Sequence, residues 1–216
     1  MARSAHRDTV AAQSPSERLL SATEKLVLQE GAARLSTRLI GTEAGMNSAL
    51  ISYHFSGLPD LLETLLRSNV EIIHEARLEL LHEAEKSKTS AERLDALITA
   101  YVDPIWLSPA KWNPAPARAV VRELLPAVDA TARSKVVARI NESVGLIATP
   151  LASLIPKLSP AELLMRLRLL SGATEMLQPR LDDLGLYPIG KDLSKAHKQR
   201  LRAEMLRFAK GALLAP

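Results

Sequence analysis

Apolar residues recur at helical spacing along most of this 216-residue chain, and no segment shows the apolar–polar alternation of a strand. Leu19, Ala22 and Leu26, for example, lie three and four positions apart and form one face of a helix. Val and Ile are sparse beside Leu and Ala, and aromatic residues make up only 3% of the chain, which favours helix over sheet. We therefore expect an all-α fold with helices near residues 15–30, 37–44, 47–55, 59–86, 90–107, 115–125, 129–155, 159–178 and 193–213.

Two helix starts carry capping signatures. Ser14 is placed at the N-cap, Pro15 follows at the first helical position, and Glu17 stands three residues after the cap. The stretch SPAE at residues 159–162 repeats this arrangement. Gly31 ends the first helix, because glycine tolerates the backbone conformation beyond a helix C-terminus.

Several classes of site and location are excluded by what the sequence lacks. There is no cysteine, which excludes disulfides, thiol nucleophiles and cysteine-based metal sites. No apolar run reaches 18 residues, and residues 1–17 contain no signal-peptide core, so we expect a cytoplasmic protein that does not bind a membrane. Glycine-rich phosphate loops, nucleophile elbows and His-Glu-x-x-His motifs are missing, so we expect no enzyme activity and no cofactor.

The stretch STRLIGTEAGMNSALISYHF at residues 36–55 predicts a helix-turn-helix. Such a motif needs a small residue where its helices cross, a glycine that accepts a left-handed turn, and an apolar residue that packs the second helix on the first. Gly41, Gly45 and Ile51 have the spacing for these roles. An ordinary helical hairpin with a glycine turn is the alternative.

Short polar side chains remain on the second helix and at the start of the first. Those of the second helix suit the major groove, where the N-terminal part of a recognition helix contacts base edges. Those of the first helix suit the DNA backbone. The candidate DNA-binding residues are Thr37, Arg38, Asn47, Ser48, Ala49, Ser52, Tyr53 and His54.

Residues 16–66 resemble the N-terminal domain of the tetracycline-repressor (TetR) family of bacterial regulators. The resemblance rests on a capped first helix, on the segment AGMN at residues 44–47 and on LISYHF at residues 50–55. It implies a sequence-specific transcriptional regulator, a repressor that a small-molecule effector releases from a palindromic operator bound by a homodimer. The domains would be a disordered arm at 1–13, the helix-turn-helix domain at 14–58, and a ligand-binding and dimerisation domain at 59–216.

Two residues depart from the family pattern. Gly41 replaces the usual Ala, and Leu58 replaces a Lys that usually meets a phosphate at the start of the fourth helix. Residues 1–58 also carry a net charge of only +1, from six Lys or Arg and five Asp or Glu. These features support an alternative, a helical protein-interaction module that keeps the fold but no longer reads DNA.

In the C-terminal part, the resemblance implies a dimer interface formed by the last two helices and an effector pocket between about residues 80 and 180. Arg202 lies with three lysines on a basic face of the last helix, which we expect to be solvated. The effector's chemical class and contacts are not predicted. Residues considered for the pocket are Tyr101, Trp106, Trp112, Met165, Met176, Arg118, Glu123, Asn141 and Glu175.

Two Glu-x-x-His motifs, at residues 71–74 and 79–82, have the spacing used by diiron bundles. Both lie on one predicted helix, whereas a diiron site needs such motifs on facing helices together with further glutamates. One chain therefore does not close this site, and we interpret the pairs as exposed side chains of a long helix.

Overall fold

The computed structural model describes residues 13–104, 115–176 and 195–215. Within these ranges the regular structure is entirely helical, which confirms the all-α prediction. A short 3-10 helix, Ala32–Arg34, follows the first α-helix. The α-helices are α1 (Pro15–Glu30), α2 (Thr37–Ala44), α3 (Ala49–His54), α4 (Leu58–Glu85), α5 (Ser90–Val102), α6 (Ala115–Leu124), α7 (Ala130–Leu154), α8 (Pro160–Met176) and α9 (Lys195–Leu214).

Most helix starts agree with the sequence prediction because local capping chemistry sets them. The helix predicted at 90–107 instead ends at Val102. The Ser14 hydroxyl accepts from the Glu17 N–H at 3.3 Å, and the Glu17 carboxylate accepts from the Ser14 N–H at 2.7 Å. Thr89 and Glu92 form a second capping box at the start of α5. Parts of several predictions lie outside the described residues: the arm at 1–12, Trp106, Trp112, and the helix ends at 177–178 and 193–194.

None of the helices in the described ranges combines the length and apolar character that crossing a bilayer requires.

The chain divides into two compact units, Met1–Leu65 and Leu66–Pro216, and the division falls within α4. In the first unit, α1, α2, α3 and the start of α4 surround one small core. Its buried members are Leu19, Leu26, Ile40, Ile51, Phe55 and Leu61. The apolar stripe predicted for α1 therefore packs as expected.

The second unit has a larger core, to which α5, α7, α8 and α9 contribute Leu, Ile, Ala and Met side chains. Tyr101 on α5 is buried there, and its hydroxyl donates to the Leu167 carbonyl oxygen of α8. This bond satisfies the one polar atom of a large buried ring.

Arg202 differs from the sequence prediction. Instead of standing on a solvated basic face of α9, its guanidinium binds both carboxylate oxygens of Asp103, at distances between 2.6 and 3.0 Å. Asp103 is fully buried at the end of α5, and burial raises the pKa of its carboxyl, which Arg202 opposes. Sequence periodicity could not locate this partner, because Asp103 lies 99 residues away.

Candidate nucleic-acid interface

The turn of the helix-turn-helix is fixed by Gly45. Its φ of 62° and ψ of 38° lie in the left-handed region that glycine adopts without strain. The Gly45 N–H donates to the Thr42 carbonyl oxygen at 3.1 Å, and the Met46 N–H donates to the Gly41 carbonyl oxygen at 2.8 Å. This pair of bonds is the Schellman motif, which ends α2 and sends the chain into α3.

Gly41 lies where the chain after the turn passes closest to α2. A Cβ added at Gly41 would be 2.9 Å from the Met46 carbonyl oxygen and 3.1 Å from the Ser48 nitrogen. Both neighbours are backbone atoms, so they cannot move aside as a flexible side chain would. Glycine at position 41, where the family usually has alanine, therefore leaves room for the backbone of the turn to pass close to α2.

Side chains of α1 hold α2 in place. The Arg18 guanidinium donates to the Ala44 carbonyl oxygen at 2.7 Å, which satisfies a carbonyl at the open end of α2. Lys25 forms an ion pair with Glu43. Two of the domain's few cations are thus used to position the motif.

The second helix of the motif presents one buried face and one exposed face. Ile51 has no exposed surface and packs in the core, as its position predicted. On the other face, 81% of Tyr53 is exposed, and Asn47, Ala49 and Ser52 are also exposed. The helix is thereby anchored through Ile51, with Leu50 packed against the same core, and leaves its polar side chains at the surface.

The remaining candidates lie close to this surface. Arg38 is exposed, and Thr37, Ser48 and His54 are half-buried. The rings of Tyr53 and His54 meet edge to face, with centroids 4.9 Å apart. The structure thus brings the eight candidate residues onto α2, α3 and the turn between them; their contact with DNA stays a prediction.

Asn47 has a structural role that the sequence reasoning missed. Its Oδ1 accepts from the Ala49 N–H at 2.9 Å, so the side chain caps the first turn of α3. Bidentate recognition of adenine by asparagine needs both the amide oxygen and the amide nitrogen. The bond to the backbone uses one of the two lone pairs of Oδ1 and fixes the orientation of the amide that Asn47 offers to a partner.

Arg38 differs from the other Lys and Arg residues of the described first unit. Lys25 and Arg34 form ion pairs with acidic residues, and Arg18 binds a backbone carbonyl, whereas the guanidinium of Arg38 has no ion pair or hydrogen bond within the described residues. Arg38 borders a surface hollow together with Asn47 and Ser48. A phosphate beside this hollow would meet a positive charge next to the polar end of α3.

Leu58, which replaces the family's lysine, begins α4 and packs against the core of the first unit. This position therefore adds apolar contact in place of positive charge. The chain turns before it at Ser56, whose N–H donates to the Asp60 carboxylate at 3.0 Å.

Residues 19–65 match the family model described as bacterial regulatory proteins, tetR family. The N-terminal domain is similar to that of the TetR family. The match spans α1 to the start of α4, and it confirms the resemblance read from the residues.

Several solved structures share the fold of this chain over most of its length. A TetR-family regulator from Bordetella parapertussis has a TM-score of 0.66 at 13% identity, covering 92% of this chain and 95% of its own. SCO3833, a TetR-family member from Streptomyces coelicolor A3, has a TM-score of 0.61 at 21% identity, covering 94% of this chain and 93% of its own. AibR, in complex with isovaleryl coenzyme A and operator DNA, has a TM-score of 0.63 at 14% identity, covering 93% of this chain and 98% of its own. No curated protein matches the sequence.

The second unit contains a cavity of about 400 Å³ formed by residues of α4, α6, α7 and α8. Of the residues considered for an effector pocket, Arg118 lines it. Met165 and Asn141 are exposed and are not among its lining residues, and the side chains of Glu175 and Met176 lie outside the described set. Arg77, which the sequence reasoning missed, also lines it, four positions after Ile73 on the same helix face.

The first Glu-x-x-His motif is engaged within the protein. Glu71 accepts from Arg139 at 2.7 and 2.8 Å, and this bonding lowers the pKa of the Glu71 carboxyl. Contrary to the expected exposure, His74 is buried, and burial lowers the pKa of its imidazole. Within the described ranges, no cluster of three or more His, Asp or Glu side chains is arranged to hold a metal ion.

Proposed function

We propose that this protein is a sequence-specific DNA-binding transcriptional regulator that reads the major groove with α3. The observation that carries the proposal is the division of α3 into a buried anchor, Ile51, and a polar outer face. A recognition helix requires this division, because its base-reading side chains must stand clear of the domain that holds them. The TetR-type N-terminal domain supports the same conclusion.

A homodimer would place two such helices on one palindromic operator, about 34–36 Å apart. Apolar side chains exposed on α8 and α9 support a dimer through these helices. Leu169 is 66% exposed, Met165 55%, Phe208 54% and Leu164 41%. Pairing these helices with a second copy would bury side chains that are costly to leave in water.

Repression released by an effector is the regulatory part of the proposal. The helix α4 contributes Leu61 to the core of the first unit, and Val70 and Ile73 to the wall of the cavity in the second unit. A ligand that moves this helix would favour one of two dimer states, and operator affinity would fall by the ligand's differential affinity for those states.

DNA selection with the purified full chain, followed by footprinting and anisotropy on the selected site, tests DNA reading. N47A and Y53A should weaken binding to the selected site. Y53A removes only an exposed side chain of the reading face, whereas N47A also removes the cap of α3. The matched control N141A changes an exposed asparagine of α7 and should bind as the wild type does. An interaction module that has lost DNA reading would give no selected sequence and no footprint.

Arg38 tests the backbone contact separately. R38A should weaken binding to all sequences alike and reduce the slope of log affinity against log salt by about 1 per subunit. R34A is the control, because Arg34 is paired with Glu30 on the surface. An unchanged salt slope in R38A would remove Arg38 from the interface.

A further inference from the structure

Arg77 is the most unusual charged residue of the second unit. It lies on α4 with only 3% of its surface exposed, and it lines the cavity of about 400 Å³. One of its five N–H donors is used by the Ser143 hydroxyl, at 2.7 Å from Nη1. Its Nε–H is buried and has no hydrogen-bond partner in the described structure.

No carboxylate among the described residues compensates this charge. The Arg77 guanidinium stands 5.8 Å from the centroid of the Tyr101 ring, a cation–π contact rather than an ion pair. Burial lowers the pKa of Arg77 to about 10, so the side chain remains charged at neutral pH. A buried cation without an anion is costly to a folded protein, which marks this place as a candidate ligand site.

The walls of the cavity extend the same pattern. Arg118, Arg122 and Arg133 line it together with Arg77. Arg122 is ion-paired with Glu123, but no Asp or Glu is among the described lining residues. The remaining surface is mostly apolar, from side chains such as Val70 and Ile140. The cavity thus combines positive charge with an apolar wall, at a volume typical of small-molecule sites.

We propose that this cavity binds an amphipathic organic anion, whose carboxylate or phosphate group is held by Arg77 and whose apolar body lies against the Val and Ile side chains. That the cavity is the effector site rests on the proposed function. That it binds the anion does not depend on that function. An oxyanion in the cavity would accept from a terminal N–H of Arg77 that Ser143 does not bind, a charge-assisted hydrogen bond.

Calorimetry on the full chain without DNA tests the head group. Octanoate and octyl phosphate represent the two anions, and octan-1-ol is the neutral control of similar length. The better anion should bind at least about 10-fold more tightly than the alcohol, since a hydrogen bond to a charged group contributes about 1.5–3 kcal/mol. Equal affinity for the alcohol and both anions, or no binding by any probe, would overturn the proposal.

The apolar body is tested with acetate, which keeps the carboxylate and lacks the chain. Acetate should bind at least about 100-fold more weakly than octanoate, because it buries six fewer methylene groups. Comparable binding of the two would show an anion site without an apolar subsite and would also contradict the proposal.

R77M removes the charge and keeps an unbranched apolar side chain. It should lower octanoate affinity at least about 10-fold, leave octan-1-ol affinity similar, and raise the melting temperature of the ligand-free protein, because the uncompensated cation is gone. R77K should retain part of the octanoate affinity. R93M, at an exposed arginine outside the cavity wall, should leave every value unchanged.

Two results would assign Arg77 to structure instead: R77M that melts below the wild type, or R77M that binds octanoate as tightly as the wild type does. The regulatory role is judged separately, by operator affinity at saturating octanoate. If octanoate binds as expected and operator affinity does not change, the anion site stands and effector control by it falls.

Discussion

Removing Arg202 should destabilise the second unit through the carboxylate that it leaves behind. Asp103 has no exposed surface, and three contacts to Arg202 within 3.0 Å provide its charged partner. In R202M, the ionised carboxylate would stay buried without that partner. The substitution therefore tests whether the Arg202–Asp103 pair stabilises the packing of α9 against α5 in addition to the apolar core around it.

The expected loss follows from the burial of the two partners. Removing one member of a buried ion pair typically costs about 3–5 kcal/mol. The side chain of Arg202 is 35% exposed, so water can partly solvate the abandoned carboxylate. We therefore expect the lower end, a loss of about 3 kcal/mol in the free energy of unfolding at neutral pH.

Urea unfolding followed by far-UV circular dichroism, at one fixed protein concentration, measures this loss. The matched control is R207M on the same helix, where Arg207 pairs with Glu204 and both side chains are more than half exposed. An exposed pair contributes about 0–1 kcal/mol, so R207M should remain close to the wild type. The double variant D103L/R202M should recover most of the loss, because no buried charge remains.

The stability loss of R202M should depend on pH, in a direction that the pKa of Asp103 sets. Burial already raises the pKa of Asp103 above its ordinary value, and loss of Arg202 should raise it further. A carboxyl whose pKa is raised by folding stabilises the folded state while it is protonated. This stabilisation is lost as the pH rises through the pKa of the folded state. The deficit of R202M should therefore shrink as pH falls through this range. An equal deficit in R202M and R207M, or a deficit that grows on acidification, would refute the reasoning.

Three further substitutions test the helix ends and the turn. G41A should lower the melting temperature although alanine favours helix by about 1 kcal/mol, because its Cβ would meet backbone atoms at 2.9 and 3.1 Å; a higher melting temperature would contradict the close approach. G45A should cost about 1–2 kcal/mol in urea unfolding because its φ is 62°, and a neutral result would mean that the turn relaxes. D129A should lower stability at neutral pH by removing an N-cap. Since bonds from Thr131 and Ala132 N–H groups lower the pKa of Asp129, this difference should vanish on acidification through that pKa; a pH-independent difference would exclude the cap as its cause.

The reading surface was predictable to the extent that it depends on neighbours in sequence. Gly45 and Ile51 could be assigned because a left-handed turn and a buried anchor recur at fixed spacing in a helix-turn-helix. The cap formed by Asn47 was missed, since a Ser-Ala pair follows it and the sequence equally allowed Ser48 to cap. That one hydrogen bond fixes how the Asn47 amide is oriented toward a ligand.

The sequence by itself determined the helices, their caps, the turn at Gly45 and the TetR-type character of the N-terminal domain. Each of these depends on groups within a few residues of one another, so spacing and residue type are sufficient to specify them. Only the tertiary structure decided that Arg202 neutralises Asp103 and that Arg77 enters a cavity without an acidic partner among the described residues. The energy of a charge depends on its burial and on partners that are distant in sequence, and neither is written in the order of the residues along one helix.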